Sequence, residues 1–407
     1  MHYPFPTITH MDQVLAAIKG RPEFVVAKRD GFVVINYFVV MPDTFPPVTK
    51  VAGGSPKMRE ARRLEYAMRR ECRGLVFDYE GKVIARRFHK FFNVAEREET
   101  MPDKIDLTRK HVVLEKLDGS MITPIPITKN NVRTIRWGTK MGTTDVAEPV
   151  EKFVNANPEY ETLAGLCVST SMTPIFEWTS RQQRIIIDYP EDKLVLLAIR
   201  FNESGKYVPY NQMVGWVSDL FPSIPIVKAY DPATDMEEFI NKTRSKEDGE
   251  GFVIQFEDGH MIKIKSDWYV RVHKAKEVLK YEKDVLSLIV NEKLDDVIPF
   301  LEPKEVERIR KYESEVLKGI DDTVFGVQWI LHTLLKNKTT RKDFALKTDP
   351  SVGPQKELGA LIRPIVFSSW DDHSTIRENV IDLIRRHTSS GTKVDHIRPI
   401  IGRNVRW

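Results

Sequence analysis

A single lysine, Lys116, lies between an apolar run and an Asp-Gly turn in the stretch Leu114-Glu115-Lys116-Leu117-Asp118-Gly119-Ser120. The apolar run before it predicts a strand, and Asp118 with Gly119 predicts the turn that ends the strand. The amine of Lys116 would then lie where tight packing stops and a ligand can approach. Such an amine can act as a nucleophile once it loses its proton. The alternative is a surface turn with an ordinary solvated lysine, because so short a pattern also occurs by chance.

Phosphoryl or nucleotidyl transfer to a lysine makes further demands on the chain. The amine must lose its proton near neutral pH, which neighbouring cations and partial burial favour by lowering its pKa. The transition state needs cations around its oxygens and a metal ion held by carboxylates. Basic residues and isolated acids should therefore converge on Lys116.

A hairpin near residue 260 could supply both. Lys263 and Lys265 are two residues apart in an alternating strand, so both amines leave the same face, where they would repel each other unless an anion lies between them. Glu250 precedes Gly251 and an apolar run on the partner strand, which places its carboxylate at the strand entrance. The alternatives are a solvated edge strand for the lysines and a solvated strand end for Glu250.

Further candidates lie elsewhere in the chain. Glu177 stands among apolar neighbours in a predicted strand, where its carboxylate needs a metal, a sugar hydroxyl, a lysine or a buried hydrogen bond. A second hairpin places Arg73 near the start of one strand and Lys90 just past the end of the other. The basic helix predicted over 57–70 either faces solvent or faces phosphates.

The composition is that of a globular protein. The chain has 407 residues, of which 41% are hydrophobic and 29% charged, and a formal net charge of +4. Its apolar runs are too short for a membrane span, and its N-terminus lacks a signal pattern. Two cysteines give neither a disulfide framework nor a metal spacing. We therefore expect a cytoplasmic protein with no membrane association and no obligate protein partner.

The predicted secondary structure changes near residue 270. Short strands and hairpins dominate before it, whereas helical periodicity covers roughly 269–290, 303–337 and 374–388. We predict an α+β fold, in which an antiparallel-sheet domain over residues 1–275 precedes an all-helical C-terminal domain over residues 276–407.

In order along the chain, the motifs resemble those of the covalent nucleotidyltransferase superfamily, which includes DNA ligases, RNA ligases and capping enzymes. The motifs are Lys116-Leu117-Asp118-Gly119, Phe176-Glu177-Trp178, Glu250-Gly251-Phe252-Val253 and Lys263-Ile264-Lys265. Three more features are similar to the phage tRNA-repair RNA ligases of the RNA ligase 1 type: Glu71-Cys72-Arg73-Gly74, His89-Lys90-Phe91-Phe92-Asn93 and Trp137-Gly138-Thr139-Lys140. The resemblance covers roughly residues 20 to 275.

The resemblance implies an ATP-dependent RNA ligase. The motif lysine, here Lys116, would attack the α-phosphate of ATP with Mg²⁺ or Mn²⁺ present and form lysyl-AMP. The AMP would pass to a 5′-phosphate of RNA, and a 3′-hydroxyl would then seal the strand and expel AMP. The RNA partner would be a broken tRNA, in the cytoplasm of a phage-infected host, and the helical domain would confer preference for tRNA-like ends.

By the same resemblance, the matched positions take roles. Asp118 and Gly119 would shape the turn, Lys140 would act in the later steps, and Asp118, Glu250 and Asp295 would hold metal, although two aspartates near a helix end, such as Asp295 and Asp296, are more often solvated. The expected nucleotide-binding residues are Tyr37, Arg73, Lys90, Glu177, Glu250, Lys263, Lys265 and Tyr269.

Two alternatives stay open. DNA ligases and capping enzymes of the superfamily usually follow the lysine pair with a small β-barrel, whereas this chain is predicted to be helical there, so a ligase acting on DNA is the less favoured hypothesis. The other is a non-catalytic RNA-binding protein that keeps the fold without forming the covalent adduct.

Overall fold

The computed structural model describes residues 3–48, 51–129, 132–347 and 356–407. The chain divides into two compact units, Met1–Val270 and Arg271–Trp407. Within the described residues, no helix is long and apolar enough to cross a membrane. The division falls five residues before the predicted boundary at 275, inside a helix. The functions assigned to the two parts stay predictions.

Among its described residues, the first unit contains strands and six α-helices, all of which precede the helix that spans the division. Its strands are β1 (Phe24–Arg29), β2 (Phe32–Tyr37), β3 (Leu75–Phe77), β4 (Val83–Ala85), β5 (Phe92–Asn93), β6 (His111–Glu115), β7 (Ser120–Lys129), β8 (Val132–Gly138), β9 (Met172–Thr179), β10 (Lys193–Phe201), β11 (Ala229–Tyr230), β12 (Gly251–Phe256) and β13 (Met261–Lys265). Its helices are α1 (Met11–Ala17), α2 (Pro56–Glu71), α3 (Ala147–Ala156), α4 (Glu159–Ser169), α5 (Tyr210–Leu220) and α6 (Met236–Arg244).

The strands form three sheets. Their orders are β1-β2-β3-β4, β10-β9-β7-β8 and β11-β6-β12-β13-β5. Neighbours are antiparallel except β13 and β5, which run parallel and pair Ile262 with Phe92 and Lys263 with Asn93. This short parallel ladder brings the segment after β4, with Lys90, beside the lysine strand β13. The predicted antiparallel α+β architecture is confirmed, and both predicted hairpins are present.

Helices cover these sheets on apolar faces. Helices α3, α4 and α5 pack on the second sheet around the buried Trp137, Phe176 and Trp178. One face of the first sheet packs against β7. The small apolar cluster between them contains Phe32, Val34, Val76, Ala85, Ile125 and Ile127. The alternation of side chains along each strand lets one sheet contact two layers in this way.

The second unit is helical throughout its described residues. The helix α7 (Asp267–Val278) spans the division, and then come α8 (Glu282–Val290), α9 (Pro303–Lys336), α10 (Arg341–Lys347), α11 (Lys356–Ser368), α12 (Ile376–His387), α13 (Gly391–His396) and α14 (Arg398–Ile401). Pro303 at the first turn and an apolar stripe at helical spacing account for the long α9. The predicted helical C-terminal region is confirmed.

A buried carboxylate joins distant parts of the first unit. Glu71, at the end of α2, accepts hydrogen bonds from Arg86 Nε at 3.0 Å and from Arg200 at 2.8 Å. Arg86 also donates to the carbonyls of Pro6 and Glu203 at 2.9 and 2.8 Å. Burial raises the pKa of Glu71, but the two guanidinium groups outweigh burial and hold this pKa below its usual range. The triad therefore holds one negative and two positive charges in the core.

We expect Glu71→Gln to destabilise the first unit by about 3–5 kcal/mol, because two buried guanidinium groups would lose their counter-ion. Denaturant unfolding followed by tryptophan fluorescence measures the change. The control is Glu60→Gln on the exposed side of α2, which should stay within about 0.5 kcal/mol of the unchanged protein. Equal stability of the two variants would show that the triad contributes little.

Candidate active site

Lys116 lies directly after β6, as predicted, and its side chain is half-buried. Its backbone amide donates to the carbonyl of Gly251 at 2.9 Å, so β12 fixes the main chain at this point. Its Nζ lies 2.6 Å from Glu250 Oε2. Lys265 Nζ lies 2.8 Å from the other oxygen of the same carboxylate. Glu250 therefore bridges the candidate nucleophile and one lysine of the predicted pair.

The Asp-Gly turn is fixed by the Asp118 carboxylate, which is buried. Its Oδ2 accepts from the backbone amides of Ile186 and Ile187, both at 2.8 Å, and its Oδ1 accepts from the Tyr269 hydroxyl at 2.6 Å. The Asp118 amide also donates to the Tyr189 hydroxyl at 3.0 Å. These bonds engage both oxygens and make Asp118 the anchor of the turn, while its predicted metal role stays a prediction.

The same contact gives Tyr269 a place in the turn. Its side chain is buried, and its hydroxyl donates to Asp118, while its predicted contact with phosphates stays a prediction. The sequence could not show this contact, because 151 positions separate the two residues. Tyr269 and Asp118 together position the turn that presents Lys116.

Gly119 allows the turn to pack on β9. A Cβ at this position would collide with the Trp178 carbonyl oxygen and approach Glu177 Cγ to 3.1 Å. A cleft opens beside Lys116, and Lys116 and Glu177 both line it. The close approach at Gly119, with the pairing of Met121 to Glu177, brings the Glu177 carboxylate to the wall of this Lys116 cleft. Among the described residues this carboxylate has no hydrogen-bond or ion-pair partner. Burial, opposed by the charge of Lys116, raises the pKa of Glu177 to about 7.

Four further cations gather around this cleft without a carboxylate partner in the described part of the chain. They are the predicted Arg73, Lys90, Lys140 and Lys263. Lys90 and Lys140 lie on the ring of Tyr37, at 5.4 and 5.8 Å from its centroid. Burial, reinforced by the charges of Lys90, Lys116 and Arg73, lowers the pKa of Lys263 to about 7. Like charges held this close favour a polyanionic ligand.

The cleft itself has a volume of about 460 Å³. Its charged lining includes Arg73, Lys116, Lys140 and Glu177, and Phe91 forms part of its wall. Its apolar lining comes from several strands and loops and includes Leu114, Val146, Leu197, Val227, Val253 and Met261. A cleft with one apolar side and one cationic side suits a ligand that carries both a ring and phosphates.

Arg87 is a buried residue that the sequence patterns missed. Its guanidinium group donates to the carbonyl of Gly74, next to Arg73, and at 3.3 Å to the carbonyl of Gly138, two residues before Lys140. Burial, and then the charge of Arg73, lowers the pKa of Arg87 to about 9. The two loops also touch directly: at Gly74, which has a φ of +79°, a Cβ would lie 2.7 Å from the Lys140 carbonyl. Arg87 is therefore a positioning residue for two cleft cations.

Asp295 belongs to the second unit, where it is exposed and pairs with Arg310 at 2.9 Å. The described residues contain no group of three or more His, Cys, Asp or Glu side chains that could hold a metal. The metal roles predicted for Asp118, Glu250 and Asp295 stay predictions. The acids that remain beside Lys116 are Glu177 and Glu250.

Residues 71–269 match the RNA ligase family. This range includes Arg73, Lys116, Glu250 and Tyr269. A protein of Thermovibrio ammonificans named as an RNA ligase is 26% identical over 318 residues, which are 76% of each chain. RNA ligase 1 of bacteriophage TS2126 is 21% identical over 350 residues, or 83% of this chain and 84% of the phage protein.

Other relatives overlap less. The polynucleotide kinase/RNA ligase of Autographa californica nuclear polyhedrosis virus is 27% identical over 56% of this chain, which spans only 34% of that protein. An archaeal ATP-dependent RNA ligase superposes with a TM-score of 0.41 at 13% identity, over 77% of this chain and 79% of its own. An RNA ligase of Naegleria gruberi superposes with a TM-score of 0.38 at 16% identity, over 47% of this chain and 58% of its own.

The family match and the aligned relatives agree with the ordered motifs around Lys116. The predicted recognition is confirmed: residues 71–269 match the RNA ligase family, whose members are enzymes that form phosphodiester bonds.

Proposed function

We propose that this protein is an ATP-dependent ligase that joins 5′-phosphate and 3′-hydroxyl ends of RNA through lysyl-AMP at Lys116. The bridge from Lys116 through Glu250 to Lys265 is the observation that carries the proposal. It places a lysine amine at a cleft surrounded by cations that have no carboxylate partner among the described residues. A nucleotidyl acceptor needs this combination, whereas a plain RNA-binding surface does not need a lysine paired inside a cleft.

Each step is a displacement at phosphorus. The Lys116 nitrogen attacks the α-phosphorus of ATP and loses a proton, a P–N bond forms, and the P–O bond to pyrophosphate breaks. A 5′-phosphate oxygen of RNA then attacks the same phosphorus and the P–N bond breaks, which returns the amine. Finally a 3′-hydroxyl oxygen attacks the 5′-phosphorus, loses its proton and expels AMP. Positioning and charge neutralisation supply most of the acceleration in such reactions.

The cleft residues divide this work. Lys265 leaves Glu250 for a phosphate of ATP, and Lys263 binds phosphate from the same strand face. Arg73 and Lys90 bind the remaining phosphate oxygens, while Lys140, tied to Arg73 through Arg87, serves the later steps. The apolar side of the cleft, with Leu197 and Val227, receives the purine ring.

Glu177 and Glu250 would hold a Mg²⁺ or Mn²⁺ ion together with phosphate oxygens of the substrate. Mg²⁺ sites with one or two carboxylates plus substrate phosphates are the usual arrangement for nucleotides, so these two acids fit such an ion without a third ligand. When bound, the ion would neutralise charge on the phosphates. Glu177 is also placed to accept a hydrogen bond from a ribose hydroxyl.

We further propose that the RNA is a broken tRNA in the cytoplasm and that the helical C-terminal domain, predicted over residues 276–407, selects such ends. The motif set, which resembles the tRNA-repair type of ligase, supports this substrate. The domain over residues 1–275 would carry the adenylyltransferase chemistry.

We expect Lys116→Ala to abolish covalent labelling by ATP radiolabelled at the α-phosphate, because no other amine replaces the nucleophile. Denaturing electrophoresis measures the label. The control is Lys152→Ala, since Lys152 is exposed and pairs with Glu148 on α3; this variant should label normally. An unlabelled wild-type protein, or label retained by Lys116→Ala, would exclude the covalent mechanism.

The same preparations separate RNA from DNA ligation. Single-stranded RNA with a 5′-phosphate and a 3′-hydroxyl should be circularised by the wild-type protein. Sealing of nicked duplex DNA, without any sealing of RNA, would overturn the choice of substrate.

We expect Arg87→Met to lower the rate of strand sealing by about 10- to 100-fold, since small misplacements of catalytic groups have effects of this size. Arg87→Lys should recover part of the rate, because an ammonium group can still donate to one carbonyl. Single-turnover sealing of pre-adenylylated RNA measures the effect, and thermal unfolding confirms the fold. A fall in stability with normal sealing would show a purely structural role.

We expect the affinity for ATP to fall as the pH rises through about 7, because Lys263 loses its proton there and bound phosphate favours the charged form. Below pH 7 the ammonium is already present and affinity is highest. Calorimetric titration with an ATP analogue that cannot be cleaved at the α-phosphate measures this dependence between pH 6 and 8.5. Lys263→Arg stays charged throughout, so its affinity should lack this component. The same pH profile in both proteins would remove Lys263 from the phosphate site.

A further inference from the structure

A second cavity, of about 540 Å³, lies beside the third sheet of the first unit. It is bordered by β6, β12, the start of α5 and the N-terminal segment. The proposed chemistry at Lys116 uses none of the residues considered below.

The second cavity adjoins the Lys116 cleft. Gln255 lines both cavities. On β6, Leu114 lines the cleft and Val112 lines the second cavity, and residues two apart on a strand share one face. The two spaces therefore follow one another along the same face of the sheet, about 7 Å apart for two residues of strand.

Aromatic rings form much of the second cavity. Tyr207 and Tyr210 line it together with Phe5 and Phe256. The two tyrosine hydroxyls already have partners: Tyr207 bonds to His89 Nδ1 at 2.9 Å, and Tyr210 donates to the Val227 carbonyl at 2.8 Å. The hydroxyls are thus fixed while the rings border the space. Flat aromatic surfaces of this kind suit a nucleobase.

Polar groups in the same cavity lack protein partners. The side-chain amides of Gln255, Asn211 and Gln212 make no hydrogen bond within the described ranges. The cavity thus offers amide donors and amide acceptors for the edge of a base.

The rim of the second cavity carries charges of both signs, of which one cation stands alone. Lys110 pairs with Glu257 at 2.8 Å and Asp258 pairs with Arg109 at 2.6 Å, whereas Lys206 is exposed and has no acidic partner in the described part of the chain. Rings, amides and the unpaired Lys206 together match a nucleotide of a single strand, whose base is apolar on its faces and polar at its edge and whose backbone is anionic.

We propose that the second cavity binds a nucleobase of the RNA strand being sealed, close to the end that lies in the Lys116 cleft. This inference rests on the proposed RNA ligase function. The base stacks on the rings of Tyr207 and Tyr210, its edge meets the Gln255 amide, and Lys206 lies near the backbone. The ligase thus holds its substrate by a base as well as by phosphates.

The test fills the second cavity with a bulky side chain. Asn211→Trp places an indole at its mouth, and Gln212→Trp is a second variant one residue further on. The matched control is Ser218→Trp, at an exposed position of the same helix. Labelling with ATP comes first and should be unchanged in all three. Failure of the wild-type protein to label would reject the ligase proposal itself, separately from this inference.

Sealing of pre-adenylylated single-stranded RNA then follows. The KM for RNA should rise about 5- to 100-fold in Asn211→Trp and Gln212→Trp, with little change in kcat, since loss of one stacked base has an effect of that order. Ser218→Trp should match the wild type. An unchanged KM in both cavity variants, or an equal rise in the control, would overturn the proposal.

Abasic RNA identifies the occupant. The base is removed in turn at each of the positions nearest to the RNA end that lies in the Lys116 cleft. In the wild type, the KM for RNA should rise at one of these positions. In Asn211→Trp, removal of the base at that position should not raise the KM further. A rise of the same factor in wild type and variant would show that the base binds elsewhere. A different result would assign the cavity to a free nucleotide instead. In that case free adenosine would compete with RNA in the wild type but not in Asn211→Trp, and removal of a base from the RNA would have no effect.

Discussion

The buried bridge from Glu71 to Arg86 and Arg200 is the constraint on which the catalytic arrangement depends. Two of its members are close in sequence to residues of the site: Glu71 is two residues before Arg73, and Arg86 precedes Arg87. Arg200 also donates to the backbone carbonyl of Arg87. One fully buried charge cluster therefore fixes the main chain that carries the cleft cations. A substitution in this cluster would displace those cations, although none of its residues contacts substrate in the proposed reaction.

The positive charges around the cleft are only partly neutralised by carboxylates. Glu250 neutralises Lys116 and Lys265, while Lys263, Lys90, Arg73 and Lys140 have no carboxylate partner in the described parts of the chain. A cluster of this kind destabilises the free protein and is relieved by a polyphosphate. Burial, and then the charges of Lys90, Lys116 and Arg73, lowers the pKa of Lys263, and the raised pKa of Glu177 shows that burial prevails over the nearby cations at that carboxylate.

The sequence predicted most of the secondary structure and the family, because strand alternation, hairpin turns and helical periodicity are local properties. The lysine strand β13 and the hairpin of Arg73 illustrate this. It also placed Lys116 at the end of a strand. The contacts of Asp118 with Ile186, Ile187 and Tyr269 could not be predicted, because they depend on how distant segments meet.

Arg87 was missed for a related reason. Its partners are backbone carbonyls, which every residue provides, so no residue pattern marks the contact. Asp295 was chosen by residue type alone, because an acidic residue near a helix end resembles a metal ligand. The structure shows it exposed in an ordinary surface ion pair with Arg310, and its metal role stays a prediction.

The shared carboxylate of Glu250 has a consequence for the order of events in the reaction. In the proposed reaction, Lys116 would have to leave its ion pair with Glu250 before its nitrogen attacks the α-phosphorus. Because the two amines use the two oxygens of one side chain, a rearrangement that frees one amine disturbs the other. Entry of ATP and release of Lys116 from Glu250 would therefore occur together in that reaction.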